Sequence, residues 1–348
     1  MKSKKLSEQI IKTFKSNGFA LSEPDVLLDS EYIIQRSGEN FRRSMLTFEN
    51  EDGKVMCLRP DLTVASCIKF LEKKSKSKIY YSGQAYRRTG KKGSNLVNDQ
   101  LGIEIIGSKN QHEDDFKVIK TILNAAEKIK SKKIKIKVGD MGLFKRLINS
   151  LDMPERWKLR LIRHFWRPKY FEELLERLEK NSDIDSVSFD TDKKRFYEMK
   201  TMDQDKVIAG RAVTEILKKF NKKINDPRSF NEGKKIVKII RTFLKINCKL
   251  SQLDKKLLDF VKKNNLKKNI FKEFESIKNL KKLNKEIIFI TNFGRNMEYY
   301  TGIVFEIFSE KKEIARGGRY DDLLKSLGAK KNIPAVGAAI NLNNIWKT

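Results

Sequence analysis

The chain is short of several things, and each shortage excludes a class of protein. Among 348 residues there are 3 cysteines, 6 prolines and 2 histidines. Cys57, Cys67 and Cys248 form no C-x-x-C pair, which argues against a disulfide scaffold and a zinc site. No stretch reaches the ~18 apolar residues of a membrane span. The opening Met1-Lys2-Ser3-Lys4-Lys5 leads into an amphipathic segment, with no apolar secretion core behind it. A cytoplasmic location is therefore expected. Apolar residues recur along the whole chain, which excludes a disordered polymer, and the length allows a sizeable core and two structural units.

What the chain has in excess is positive charge: 75 Lys+Arg against 45 Asp+Glu, a formal net charge of +30. Clustered cations would suit a nucleic-acid or phosphate partner through counterion release. Lysine, however, outnumbers arginine about three to one and is spread over the polar faces of expected helices. Phosphate clamps and base readers favour the planar fork of arginine. The lysines read as solvated faces, and no specific nucleic-acid partner is expected.

Periodicity then divides the chain. Leu6, Ile10, Ile11 and Phe14 share a helical stripe that stops at Asn17-Gly18. Ser44–Glu49 and Lys54–Leu58 read as strands around an Asp52-Gly53 turn. Ile79–Tyr86 and Leu101–Ile106 form a second pair, joined by the basic loop Thr89–Asn98. A helix is expected near Glu113–Lys130, and a half-buried strand where Ile134, Ile136 and Val138 alternate with lysine. Helical spacing dominates from Met141 to Leu283. Strands return at Ile287–Thr291, Gly302–Ser309 and Lys312–Ala315, followed by a glycine turn at Gly317-Gly318, a helix Tyr320–Leu327 and a last strand Ala335–Asn341. The expected architecture is α+β: a mostly antiparallel sheet flanked by helices, residues 1–140 and 286–348, interrupted by a helical insertion, residues 141–285.

Five segments place charged and polar groups at the ends of these strands: Leu58-Arg59-Pro60-Asp61-Leu62-Thr63, Tyr86-Arg87-Arg88, Gln100-Leu101-Gly102-Ile103-Glu104, Arg295–Gly302 and Gly317-Gly318-Arg319-Tyr320-Asp321. Taken singly each has a bland explanation; Arg319 and Asp321, for instance, would suit a surface ion pair worth little. In this order and on one sheet they resemble the aminoacylation core of histidyl-tRNA synthetase, a class II aminoacyl-tRNA synthetase. Arg295–Gly302 and Gly317–Leu323 resemble its two histidine-specific motifs. Pro24, the loop around Arg87 and Pro334-Ala335-Val336-Gly337 resemble class II motifs 1, 2 and 3.

The resemblance implies a histidine site. Asp61, Thr63 and Gln100 would hold the α-ammonium, Arg87 and Arg295 the carboxylate, and Glu104 and Tyr300 the imidazole, with Tyr299 and Tyr320 as walls. Where motif 2 has a glutamate and loop arginines, this chain has Thr89, Lys91 and Lys92; where motif 3 ends in an acid and an arginine, it has Asn343 and Asn344. Adenylyl transfer rests on cationic stabilisation of developing charge, so no catalytic residues are expected. No C-terminal anticodon-binding domain is expected after Thr348 either. A histidine site without adenylation is similar to one branch of the family, the regulatory subunit of ATP phosphoribosyltransferase. Gly139-Asp140-Met141-Gly142-Leu143-Phe144 and Arg163-His164-Phe165-Trp166-Arg167-Pro168 carry that likeness into the insertion. It implies a non-catalytic regulatory subunit of histidine biosynthesis, partnered by the short catalytic subunit, bound by L-histidine as feedback inhibitor and homodimeric, with no cofactor or metal. The alternatives are a histidine-adenylating enzyme with a non-tRNA acceptor, and a nucleic-acid-binding synthetase relative. Of the insertion aromatics, Phe165, Trp166, Tyr170 and Phe171 read as core, His164 as a structural or surface residue, and His112 as exposed.

Overall fold

The described strands form three sheets, the smallest of them the pair Val207–Ile208 and Arg211–Ala212, in the computed structural model, which describes residues 2–31, 33–34, 42–73, 77–88, 95–129, 134–180, 186–204, 206–208, 210–224, 230–271, 275–283, 285–294, 299–310 and 312–346. The strands are β1 (Ala20–Leu21), β2 (Leu27–Asp29), β3 (Leu46–Glu49), β4 (Val55–Leu58), β5 (Lys78–Tyr86), β6 (Val97–Ile106), β7 (Ile134–Asp140), β8 (Val207–Ile208), β9 (Arg211–Ala212), β10 (Asn247–Lys249), β11 (Ile287–Ile290), β12 (Ile303–Ser309), β13 (Lys312–Arg319) and β14 (Ala335–Asn341). Nine of them form one sheet in the order β1-β5-β6-β14-β13-β12-β7-β11-β10. Only β1–β5 and β7–β11 pair in parallel; the rest are antiparallel. A three-stranded sheet β2-β4-β3 stands apart from it. The molecule is α+β.

The chain divides into two compact units. One holds residues 1–142, 247–256 and 272–348, and with them the nine-stranded sheet; the other holds residues 143–246 and 257–271. In the first, the Gln111–Ala126 helix buries Val118, Ile119, Ile122 and Leu123, as its stripe predicts. The Lys2–Ser16 helix ends where expected, with Gly18 left-handed at φ +83°. In the second unit Phe144 stacks on Phe165 at 3.7 Å and meets the edge of Phe171 at 5.6 Å. Phe165 and Phe171 are core, but Pro168 starts a new helix, so they do not share one. Trp166 and Tyr170 are only partly buried, with Arg167 over the Trp166 ring. His164 packs edge-on against Tyr170, and burial, then Arg167, Arg163 and Arg160, push its imidazole below its ordinary value. His112 is exposed.

Several elements differ from the expectation. Gly317-Gly318 is no turn: both residues lie inside β13, which continues to Arg319, and the following helix is only Leu323–Ser326. Small size is what these glycines supply. A Cβ on Gly317 would fall 2.2 Å from that of Ala338, and one on Gly318 would fall 2.9 Å from the Tyr300 ring. β6 begins at Val97 rather than Leu101, because its polar half Asn98–Gln100 pairs in register with β5. β10 pairs with β11 at the edge of the large sheet, inside a stretch whose spacing reads as helical. The Leu62–Lys73 helix has no counterpart in the sequence reading.

Candidate functional site

Neighbouring strands β5, β6, β14 and β13 carry the site, with the helix that follows β4 above them. Asp61 stands just ahead of that helix and caps it, its Oδ1 accepting the backbone N–H of Thr63 at 2.7 Å and of Val64 at 3.2 Å. Its other oxygen accepts from Arg87 Nη2, while Arg87 Nε donates to the Pro60 carbonyl. Arg59 points elsewhere: buried, it donates to the carbonyls of Gln84 and Pro24 and ties β4 to β5. Asp61 and Arg87, which the family resemblance assigns to ammonium and carboxylate, are thus paired with each other. A ligand meets Asp61 and Arg87 as a preformed ion pair, a surface suited to a zwitterion.

Behind them lies Glu104, wholly buried on β6. Thr63 Oγ1 donates to its Oε1 at 2.7 Å, Tyr81 Oη to the same oxygen at 3.1 Å, and Tyr320 Oη to Oε2. Desolvation nevertheless pushes the carboxyl up to about 8; the three donors pull it down and Asp61 pushes it up. Gly337 on β14 makes room for it, since a Cβ there would fall 1.4 Å from Oε2. Tyr299, Tyr300 and Tyr320 form an aromatic wall, Tyr299 meeting the edges of Tyr300 at 4.9 Å and Tyr320 at 5.9 Å. Burial raises all three phenols above their ordinary value.

The opposite strand supplies a second ion pair. Arg316 Nη2 lies 2.6 Å from Glu313 Oε2 and 2.8 Å from Glu306 Oε1. Residues three apart on a strand ordinarily face opposite ways. Here β13 is bulged: Ala315 pairs with Ile307 and Glu313 with Phe308, leaving Ile314 as the extra residue. The bulge turns Glu313 and Arg316 to the same side. Burial raises Glu306 above the usual carboxylate value, and Arg316 opposes that rise.

Asp61, Thr63, Arg87, Gln100, Tyr299, Tyr300 and Tyr320 line one cavity of about 390 Å³, within the range of small-ligand sites. Of the other residues singled out in the sequence, Glu104 sits behind the lining and reaches it through Thr63 and Tyr320, and Arg295 lies outside the described residues. The cavity also brings in Arg88, Asn98, Glu313, Arg316 and Asn341, which the sequence reading did not assign to a ligand. Pairing of Asn341 with Gln100 across β14 and β6 explains one of them; the bulge hides Arg316. Arg319 and Asp321 are no surface pair. Arg319 is buried, donating to Asp115 at 2.9 Å, Asp321 at 2.9 Å and the Gln111 carbonyl at 2.8 Å, so it braces the sheet against the Gln111–Ala126 helix. Asn343 and Asn344 also work as braces. Asn343 bonds both backbone groups at the start of β6, and Asn344 donates to the Glu313 carbonyl. Among the described residues no three His, Cys, Asp or Glu side chains converge to hold a metal, and no helix is long and apolar enough to cross a membrane.

Known proteins resemble this chain in sequence and in fold. The ATP phosphoribosyltransferase regulatory subunit of Allorhizobium ampelinum is 27% identical over 357 residues, covering 97% of this chain and 95% of that protein. The protein of the same name from Brucella anthropi is 27% identical, covering 93% and 92%. Among solved structures, a Bacillus halodurans protein described as an ATP phosphoribosyltransferase regulatory subunit/histidyl-tRNA synthetase superposes with a TM-score of 0.61 at 16% identity, covering 99% of this chain and 78% of that one. Histidyl-tRNA synthetase from Nostoc superposes with a TM-score of 0.63 at 17% identity, covering 99% and 70%. These likenesses define the fold as class II aminoacyl-tRNA synthetase-like. The family model for histidyl-tRNA synthetase matches residues 1–345, and the chain belongs to that family.

Proposed function

We propose that this chain is the regulatory subunit of ATP phosphoribosyltransferase, a non-catalytic partner of the short catalytic subunit in the first step of histidine biosynthesis. The observation that carries this reading is the name shared by curated relatives aligned over nearly their whole length, 95% of one and 92% of another. The site agrees with it. Where adenylation would need a cation after β14, Asn343 and Asn344 hydrogen-bond to backbone, and a neutral amide offers no charge to a phosphate.

The cavity takes L-histidine in this reading, as feedback inhibitor. Its Asp61–Arg87 pair matches an α-ammonium and α-carboxylate, and its tyrosine wall gives a planar ring a surface to stack on. Feedback needs only that histidine bind one state of the complex better, and a coupling of about 1–3 kcal/mol suffices. The chain forms a homodimer within the complex. The outer face of the β2-β4-β3 sheet supports this, since Leu27, Leu46, Phe48, Met56 and Leu58 share it in register and Leu27 and Phe48 are exposed. The test is co-purification with the short catalytic subunit. A stable complex holding two or more copies of this chain is expected; two proteins that elute apart at micromolar concentration would overturn the reading.

A further inference from the structure

Lysine carries most of this chain's positive charge, and one stretch departs from that. Between Glu155 and Arg167 stand Arg156, Arg160, Arg163 and Arg167 against the single Lys158, together with Trp157 and Trp166. The arginines recur at steps of four, three and four, which is one stripe of a helix. The Glu155–His164 helix buries Trp157 and Leu161 on another face, and the turn after it carries Arg167, whose backbone N–H donates to the His164 carbonyl at 3.0 Å. Arg156 and Arg160 lie over the Trp157 ring at 5.8 and 5.1 Å, and Arg167 over Trp166 at 4.3 Å. A guanidinium laid on an indole is held in place while its N–H edge stays available to an acceptor.

No carboxylate of the described residues pairs with Arg160, Arg163 or Arg167. Glu172 and Glu179 of the next helix, Pro168–Lys180, are held by Arg241. After burial, the main influences on the His164 imidazole are Arg167, Arg163 and Arg160, so the three gather around one point. The buried Nδ1 of that imidazole has no hydrogen-bond partner among the described residues. Like charges three and four apart on a helix repel, and an anion from outside would relieve them. Beside the stripe, Leu159 is 54% exposed. Arginine next to exposed apolar area is the makeup of a protein interface, where arginine is enriched and lysine depleted. RNA would need open rings to stack its bases on; Trp157 is fully buried and Trp166 lies under Arg167.

We propose that Arg156, Arg160, Arg163, Arg167 and Leu159 form a docking face for an acidic protein surface, and that this face holds the catalytic subunit. The proposal rests on the regulatory-subunit reading and adds which surface meets the partner. None of these residues belongs to the unit that carries the cavity. A chain of net charge +30 repels a basic partner at long range. The matching face of the partner therefore carries carboxylates, set about 5–6 Å apart to meet successive arginines of the stripe, and an apolar side chain to cover Leu159.

The test uses the full chain and the short catalytic subunit from the same genome, with the dissociation constant read by biolayer interferometry at physiological salt. Arg160→Glu/Arg163→Glu is expected to weaken the complex roughly a hundredfold or more, and Arg163→Gln about tenfold. Arg163 is exposed, so that variant serves if the double reversal does not fold. Leu159→Ser is expected to cost about fivefold. Lys267→Glu/Lys268→Glu makes the same change in net charge at exposed lysines of the same unit. It is expected to bind within about threefold of wild type, because screened surface charge acts mainly on the association rate. Arginine variants that bind within about threefold of wild type, or a lysine control that loses as much as they do, would overturn the proposal and leave the regulatory reading standing. An oligouridine that binds wild type more tightly than the catalytic subunit does, and is released by the same arginine reversal, would assign the face to RNA and overturn it too. No complex from wild type would overturn both the proposal and the reading.

Discussion

Arg319 gives the sharpest test of how the site is braced. Its guanidinium donates to Asp115 from Nε, to Asp321 from Nη1 and to the Gln111 carbonyl from Nη2, which also lies 2.7 Å from the same Asp115 oxygen. The Arg319 and Asp115 side chains are 6% and 2% exposed, so water replaces little of what is lost. Arg319→Met removes the guanidinium and leaves the Asp115 carboxylate in place. Breaking a buried pair from one side costs about 3–5 kcal/mol. At roughly 2 °C per kcal/mol for a chain of this size, the melting point should fall by about 6–10 °C. Removing both partners should cost far less, because an apolar pair needs no compensation. Arg319→Met/Asp115→Leu should regain most of the loss. Urea unfolding followed by circular dichroism, with wild type, the single and the double variant side by side, reads both numbers. A single-variant loss below about 1 kcal/mol, the scale of an exposed pair, would refute the reasoning.

Three further outcomes follow from the same geometry. Gly337→Ala drives a Cβ against the Glu104 carboxyl at 1.4 Å; it should cost about 1–3 kcal/mol or more of stability and abolish the proposed histidine binding, read by isothermal titration calorimetry. Because burial raises Glu104 from 4.5 to about 8 in the folded protein, the folded state holds a proton there that the unfolded chain has lost. Stability should fall as pH rises from about 4.5 to 8, by up to a few kcal/mol, and Glu104→Gln should flatten that decline in urea melts across the range. Arg241, 36% exposed and bridging Glu172 and Glu179, should be nearly dispensable, Arg241→Met lowering the unfolding free energy read from urea melts by less than about 1 kcal/mol.

The sequence made the fold legible where one physical signal dominated. Lysine alternating with Ile134, Ile136 and Val138 fixed β7, and the strand at Ala335–Asn341 lies where its apolar run places it. It was illegible where neighbours overrode local preference. Gly317-Gly318 looks like a turn because glycine is the usual turn residue, yet these glycines are there because Ala338 and Tyr300 come too close for a Cβ. The site was legible as a set of residue types, since seven of the nine residues named from the sequence line one cavity. Their pairing was not. Nothing in the spacing says that Asp61 and Arg87 bond to each other, that Glu104 retreats behind Thr63 and Tyr320, or that a bulge at Ile314 turns Arg316 inward. Those facts depend on register across strands far apart in the chain.

A regulatory subunit must govern another enzyme's reaction. The direct measurement is phosphoribosyl-ATP formation by the short catalytic subunit, alone and with this chain, with and without histidine. Activity that rises when the chain is added and falls again with histidine is the predicted result. Unchanged activity in its presence, or ATP–pyrophosphate exchange by the chain itself on histidine, would contradict it.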